Sequence, residues 1–304
     1  MTSYLRRLLR AGAAYQLADA VSKVVALALL PIYTHHLTPA DYGTAELMLT
    51  TIILVSIILR LGLGEAFVRF HYLDADPERR RRLARTATGS LFVVTTLASV
   101  AVALAAEPVS RALLGNSQPD VVRAAALGLW AFTNLELAYA LLRVEERARA
   151  FATASLANVV LTVGLTLWLV VGRDEGALGL LLGNYIASAV VLVGLWWKER
   201  DAFGLRPGGI ERAQLGPMLR FGLPTVPAEV SVFLLFFIDR FWLFRFENAD
   251  EAGLYSMSVK LAGIVVFNIY PMLITTYASF TKWDGLTPPV FIGGVSPSHF
   301  VNDA

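Results

Sequence analysis

Apolar runs about twenty residues long recur along the whole chain, separated by short polar breaks, and this pattern constrains the fold more than any other feature. Within hydrocarbon every backbone N–H and C=O must find its partner inside the segment, so runs of this length and composition read as membrane-crossing helices. The expected fold is therefore all-α, a polytopic membrane protein of about eight transmembrane helices. These fall near Leu8 to Tyr33, Tyr42 to Phe67, Ala87 to Ala106, Val121 to Leu142, Phe151 to Val171, Ala177 to Trp197, Leu219 to Phe244 and Ala252 to Phe280. The last run reads either as one long helix or as two broken ones. Composition agrees: 56% of the 304 residues are hydrophobic, only 16% are charged, and mean hydropathy is +0.58.

Loop charges set an orientation, because Lys and Arg concentrate in short cytoplasmic loops. Arg6, Arg7 and Arg10 precede the first helix, and Arg79, Arg80, Arg81, Arg82 and Arg85 follow the second. Arg143, Arg147 and Arg149 follow the fourth, and Lys198, Arg200, Arg206 and Arg212 follow the sixth. The alternate breaks carry His35 and His36, Arg111, Arg173 beside Asp174 and Glu175, and the acidic Glu247 to Glu251 run. The expected topology places the N-terminus inside a plasma membrane. The Arg79 to Arg85 run has two readings, a topology anchor or a landing site for a pyrophosphate or anionic lipid headgroup, and the anchor needs no ligand. Trp196 and Trp197, ahead of Lys198, read as an interfacial aromatic belt.

A shift of 210 positions lays the first helix on the seventh. Arg10 falls on Arg220, Gly12 on Gly222, Ala18 on Ala228 and Asp19 on Glu229; without a gap, Asp41 then falls on Glu251, Gly43 on Gly253 and Val55 on Val265. Both copies run from inside to outside, which is the pattern of a transporter built from two parallel halves. The expected organisation is a first six-helix lobe over 1–197, a cytoplasmic linker over 198–218, the start of a second lobe over 219–265, and a final segment over 266–304. On this count the second lobe is incomplete and the chain reads as truncated.

Ionisable residues inside the spans cost roughly 3 kcal/mol each on an insertion scale, so they are expected where they meet a partner or a watery cavity. Asp19, Lys23, Glu229, Asp239 and Arg240 are the resulting cavity or gating candidates. Asp19 and Lys23, four apart, share a helix face and can also neutralise one another. Glu46 and Arg60 lie nearer the ends of their span and are expected to snorkel; Glu136 lies within the fourth. Pro224 and Pro227 free backbone carbonyls and permit a bend in the seventh helix. Gly179, Gly183 and Ala187 recur every four positions and point to close helix packing.

The function classes left out are equally informative. There is no phosphate-binding GxxxxGK[ST] loop, no HExxH pair and no GxSxG elbow, so an enzyme is not expected. Cysteine is absent, and His35 and His36 have no clustered acidic ligands beside them, so no metal or other cofactor is implied. The net charge of +2 implies no nucleic-acid partner.

Three segments carry a family resemblance: Leu37-Thr-Pro-Ala-Asp-Tyr-Gly43, Leu142-Arg-Val-Glu-Glu-Arg-Ala-Arg-Ala-Phe151, and Asp239-Arg240 followed by Ala252-Gly-Leu-Tyr255. Together, in this order, they resemble the polysaccharide flippases (Wzx-like translocases) of the multidrug/oligosaccharidyl-lipid/polysaccharide exporter superfamily. That resemblance implies two six-helix lobes around a central cleft lined by helices one and seven. It also implies flipping of a polyprenyl-pyrophosphate-linked oligosaccharide in cell-surface polysaccharide biosynthesis, with membrane lipids as the other partner. From about residue 266, Tyr270 to Gly285 instead resembles the first helix of sugar ABC-transporter permeases, and Pro288 to Ala304 reads as a polar, unstructured end. Two other readings stand beside flipping. A cation-coupled multidrug exporter of the same superfamily accounts for the repeat and the buried charges, and a noncatalytic or nonfunctional membrane fragment accounts for the short second lobe.

Overall fold

A computed structural model describes residues 28–73, 76–199, 209–279, 281–282 and 290–291. Two compact units divide the chain, Met1–Leu254 and Tyr255–Ala304. Among the described residues the regular elements are helices, joined by short turns, but for one two-residue strand pair. Among the described residues, six helical runs are long and apolar enough to cross a membrane, against the eight expected of the whole chain. Most of the first expected helix lies outside the described residues, and the eighth is divided into pieces too short to count. Of its first helix, α1, residues 28–36 are described.

Helix α2 (Pro39–Arg60) starts at Thr38, whose hydroxyl accepts from the Asp41 N–H at 3.1 Å while the Asp41 carboxylate takes the Thr38 N–H at 3.3 Å. The chain does not run straight on to Phe67 as the apolar run suggested. Leu61 (φ 52°) and Gly62 (φ 64°) adopt left-handed backbone, and a separate α3 (Leu63–Leu73) follows. Helix α4 (Pro77–Leu104) begins ten residues before the expected Ala87, because Asp76 caps it and Pro77 fits its first turn. The Arg79 to Arg85 run thus lies on a helix and not in a loop. A short α5 (Ala106–Leu114) leads to α6 (Pro119–Val144), α7 (Ala148–Arg173) and α8 (Gly176–Lys198). Helix α6 is the hub, packed on α2, α4 and α8, while α7 lies against α8. The small-residue stripe of α8 does serve packing: a Cβ on Gly183 would lie 2.7 Å from Thr166 Cα on α7, and Ala187 is fully buried.

Trp196 departs from the expected belt. It turns into the bundle and meets Phe92 and Trp130 edge-on at 5.5 and 5.7 Å, while Trp197 remains 78% exposed. Glu46 departs as well, being buried inside α2 with no reach to an interface.

Part of the expected linker is itself helical, as α9 (Arg212–Gly222), which packs on α3 and α4 with Met218 sunk into the core. Pro224 then sits in a single 3₁₀ turn, Leu223–Thr225, before α10 (Val226–Phe246). Helix α11 (Ala249–Ile264) starts as α2 does: Asn248, the 210-shifted counterpart of Thr38, accepts the Glu251 N–H at 2.9 Å. In the second unit, a π turn (Val265–Ile269) and α12 (Tyr270–Ser279) follow, then β1 (Thr281–Lys282) paired antiparallel with β2 (Val290–Phe291). Val290 and Phe291 lie in the stretch expected to be unstructured.

Candidate functional site

The break between α2 and α3 opens a charged cleft. At this break stands the left-handed turn at Gly62, where a side chain is excluded twice: by the positive φ, and by Gly222, whose Cα lies 2.5 Å from where a Cβ would stand. This contact brings the start of the seventh expected helix directly against the end of the second. A cleft of about 350 Å³ lies beside it, lined by Arg60, Glu65, Tyr72, Glu136 and Arg143 among others. Glu136 and Arg143 are two turns apart on α6 and so share one face. Two guanidinium groups and two carboxylates thus line one cleft, Glu65 and Arg143 exposed and Arg60 and Glu136 half-buried.

Arg60 links this cleft to α10. Its Nη2 lies 3.5 Å from Glu229 Oε2, with the two side chains 27% and 30% exposed. The placement has a local logic, because Arg60 ends α2 and Glu229 lies in the first turn of α10. Each helix terminus favours the charge it holds. Left unpaired at membrane depth, either charge would cost roughly 3 kcal/mol.

The predicted candidates separate into groups. Asp19 and Lys23 lie outside the described residues. Glu229 meets Arg60, which was expected only to snorkel. Asp239 and Arg240 stand ten residues along α10, about 15 Å from Glu229 at 1.5 Å per residue. There the Asp239 carboxylate accepts the Arg240 N–H at 2.8 Å, and the Arg240 guanidinium, almost wholly buried, lies 4.6 Å from the Phe237 ring centre. Glu229 and the Asp239-Arg240 pair are therefore two places and not one site. Glu65 and Arg143 were missed, although Arg143 follows Glu136 at the seven-residue spacing that marks a shared face.

With this geometry in view, comparisons with known proteins fall on one side. A family model described as "Polysaccharide biosynthesis protein" matches residues 34–280. The match runs through most of the stretch that resembles a permease. The EPS I polysaccharide export inner membrane protein EpsE of Ralstonia nicotianae is 30% identical over 196 residues, covering 63% of this chain and 44% of that protein. The chain thus spans less than half the length of this curated relative. Among solved structures, the MATE multidrug transporter DinF-BH in complex with R6G aligns at TM-score 0.65 and 19% identity, over 86% of this chain and 61% of that one. An inward-facing MATE family transporter of the MOP superfamily aligns at TM-score 0.57 and 17% identity, over 83% and 58%. At these identities the two structures establish likeness of fold.

Proposed function

Because this chain belongs to the polysaccharide biosynthesis protein family, we propose that it serves in flipping a polyprenyl-pyrophosphate-linked oligosaccharide across the plasma membrane for cell-surface polysaccharide synthesis. The observation that carries this reading is the Arg60–Glu229 pair, which ties α2 to α10 beside a charged cleft. A lipid-linked saccharide has an anionic diphosphate and a polar glycan that must cross hydrocarbon, and a cleft with both arginines and carboxylates offers ionic and hydrogen-bonding partners to each. Opening then requires α2 and α10 to part, with Pro224 and Pro227 providing the bend and Asp239 and Arg240 weighting the second half. Asp19 and Lys23 belong to the same proposed machinery by their place in the sequence run expected to form the first span, and on this reading the N-terminus is cytoplasmic.

Expression in a flippase-null cell tests this. The chain restores surface polysaccharide, whereas Glu229→Ala and Asp239→Ala reduce it at equal membrane abundance; undiminished polysaccharide in both variants would remove these residues from the mechanism. One observation favours a second reading, a cation-coupled exporter: among the described residues, Glu65 and Glu136 line the cleft with Arg60 and Arg143, and Glu229 adds a third carboxylate beside Arg60. That reading predicts dye efflux from the same cells, which the flippase reading does not.

A further inference from the structure

A second polar cavity borders the cleft. It measures about 730 Å³ and shares Tyr72 and Val144 with the cleft as common wall. Its other walls are the ends of α3, α4, α6 and α8, the level at which transmembrane helices meet lipid headgroups. Five cations line it (Arg80, Arg81, Arg85, Arg147 and Lys198) against the carboxylates Glu145, Glu146 and Glu199, an excess of two positive charges.

The carboxylates are engaged locally. Arg147 is paired with Glu199 and lies 3.2 Å from Glu145. Burial pushes the Glu145 carboxyl up, and the Arg147 guanidinium beside it pulls the other way. The turn that presents these groups is specifically built: Glu146 takes left-handed backbone (φ 55°), and the Arg147 N–H closes on the Leu142 carbonyl at 2.9 Å. An arginine run alone is explained by topology. Here the run on α4 meets Arg147 and Lys198 from two other elements around one cavity.

A buried side chain borders the same cavity. His71 lines it, is 93% buried by its 7% exposure, and among the described residues its Nδ1 has no hydrogen-bond partner. A buried polar atom left unpaired in this way costs about 1–3 kcal/mol. Burial first, and Arg80 second, hold this imidazole below its ordinary value.

We propose that this cavity is a phosphate-recognition site for a lipid headgroup, seating a phosphate or diphosphate between Arg80, Arg81, Arg85, Lys198 and His71. Two lipids bring that chemistry, an anionic bilayer phospholipid and the diphosphate of a polyprenyl carrier, and the common wall at Tyr72 and Val144 places either next to the cleft. The site stands whether or not the chain flips a saccharide, because it is defined by binding.

The test is native mass spectrometry of the purified chain in neutral detergent, titrated with phosphatidylglycerol, phosphatidylcholine, undecaprenyl diphosphate and inorganic pyrophosphate. At least one anionic lipid binds about tenfold more tightly than phosphatidylcholine and is displaced by pyrophosphate, and Arg81→Gln/Lys198→Gln weakens it about tenfold. Arg111→Gln/Arg123→Gln, the same charge change at the opposite helix ends, leaves binding intact. His71→Gln supplies a milder variant should the double change disturb folding, and it also weakens binding. Preference for phosphatidylglycerol identifies the bilayer lipid as ligand, and preference for undecaprenyl diphosphate identifies the carrier. Equal affinity for phosphatidylcholine and both anionic lipids, or unchanged binding in all the cavity variants with circular dichroism intact, overturns the proposal.

Discussion

Gly43 and Gly253, the two glycines related by the 210-residue shift, sit against one another at a helix crossing that treats them alike. A Cβ on Gly43 would overlap the Ala249 carbonyl oxygen and stand 2.9 Å from Gly253 N; a Cβ on Gly253 would overlap the Pro39 carbonyl oxygen and stand 3.0 Å from Gly43 N. Pro39 and Ala249 are themselves related by the same shift. The contact is reciprocal, as an axis relating two repeats requires.

Gly43→Val and Gly253→Val should therefore cost similar amounts, about 2–3 kcal/mol each, because backbone and not a movable side chain blocks the new atoms. Gly194, mid-helix with nothing within 4 Å of a Cβ, is the control, and Gly194→Ala should gain up to about 1 kcal/mol. Thermal unfolding of the purified protein measures all three; a neutral Gly43→Val would refute the crossing.

The matched helix starts behave as a pair too. Thr38→Ala and Asn248→Ala each remove one side-chain cap and should each cost about 1 kcal/mol. Amide exchange at Asp41 and Glu251 should accelerate in the respective variant alone, and unchanged protection at either would show its cap to be idle.

Arg60 and Glu229 should couple by about 1 kcal/mol in a double-mutant cycle with glutamine, a modest figure because both side chains keep about a quarter or more of their exposure. The exchange Arg60→Glu/Glu229→Arg should recover part of the loss of either single change, whereas strictly additive effects would dissolve the pair.

His71 gives a pH signature. Its folded-state value lies below the ordinary 6.5, so the folded protein binds fewer protons than the unfolded one in that interval. The stability it contributes is present above pH 6.5 and is lost as the pH falls below it toward the folded value. His71→Gln should flatten that part of the profile in phosphate-free neutral detergent, and a profile unchanged by the substitution would assign the loss to other groups.

The all-helical, membrane-spanning character was legible because apolar run length survives in one dimension, whereas the count of eight was not recovered: six helices among the described residues are long and apolar enough to cross. Gly43 and Gly253 were visible as matching letters, though not as a contact. The break at Leu61–Gly62 was hidden because apolar residues continue through it, and the early start of α4 was hidden because arginines read as loop when Asp76 and Pro77 are not weighed as cap and first turn. Arg60 was misjudged for a different reason. Its partner comes from the other repeat, and an end-of-span arginine looks the same whether it meets water or Glu229.

The most direct measurement of the central claim is flipping by the purified chain in proteoliposomes, with a fluorescent polyprenyl-diphosphate oligosaccharide in both leaflets and a membrane-impermeant quencher outside. The account predicts that the chain carries inner-leaflet probe to the quencher and that Glu229→Ala slows this while preserving reconstitution. Quenching that stops at the outer-leaflet fraction, as in protein-free vesicles, or a rate that Glu229→Ala leaves unchanged, would contradict it.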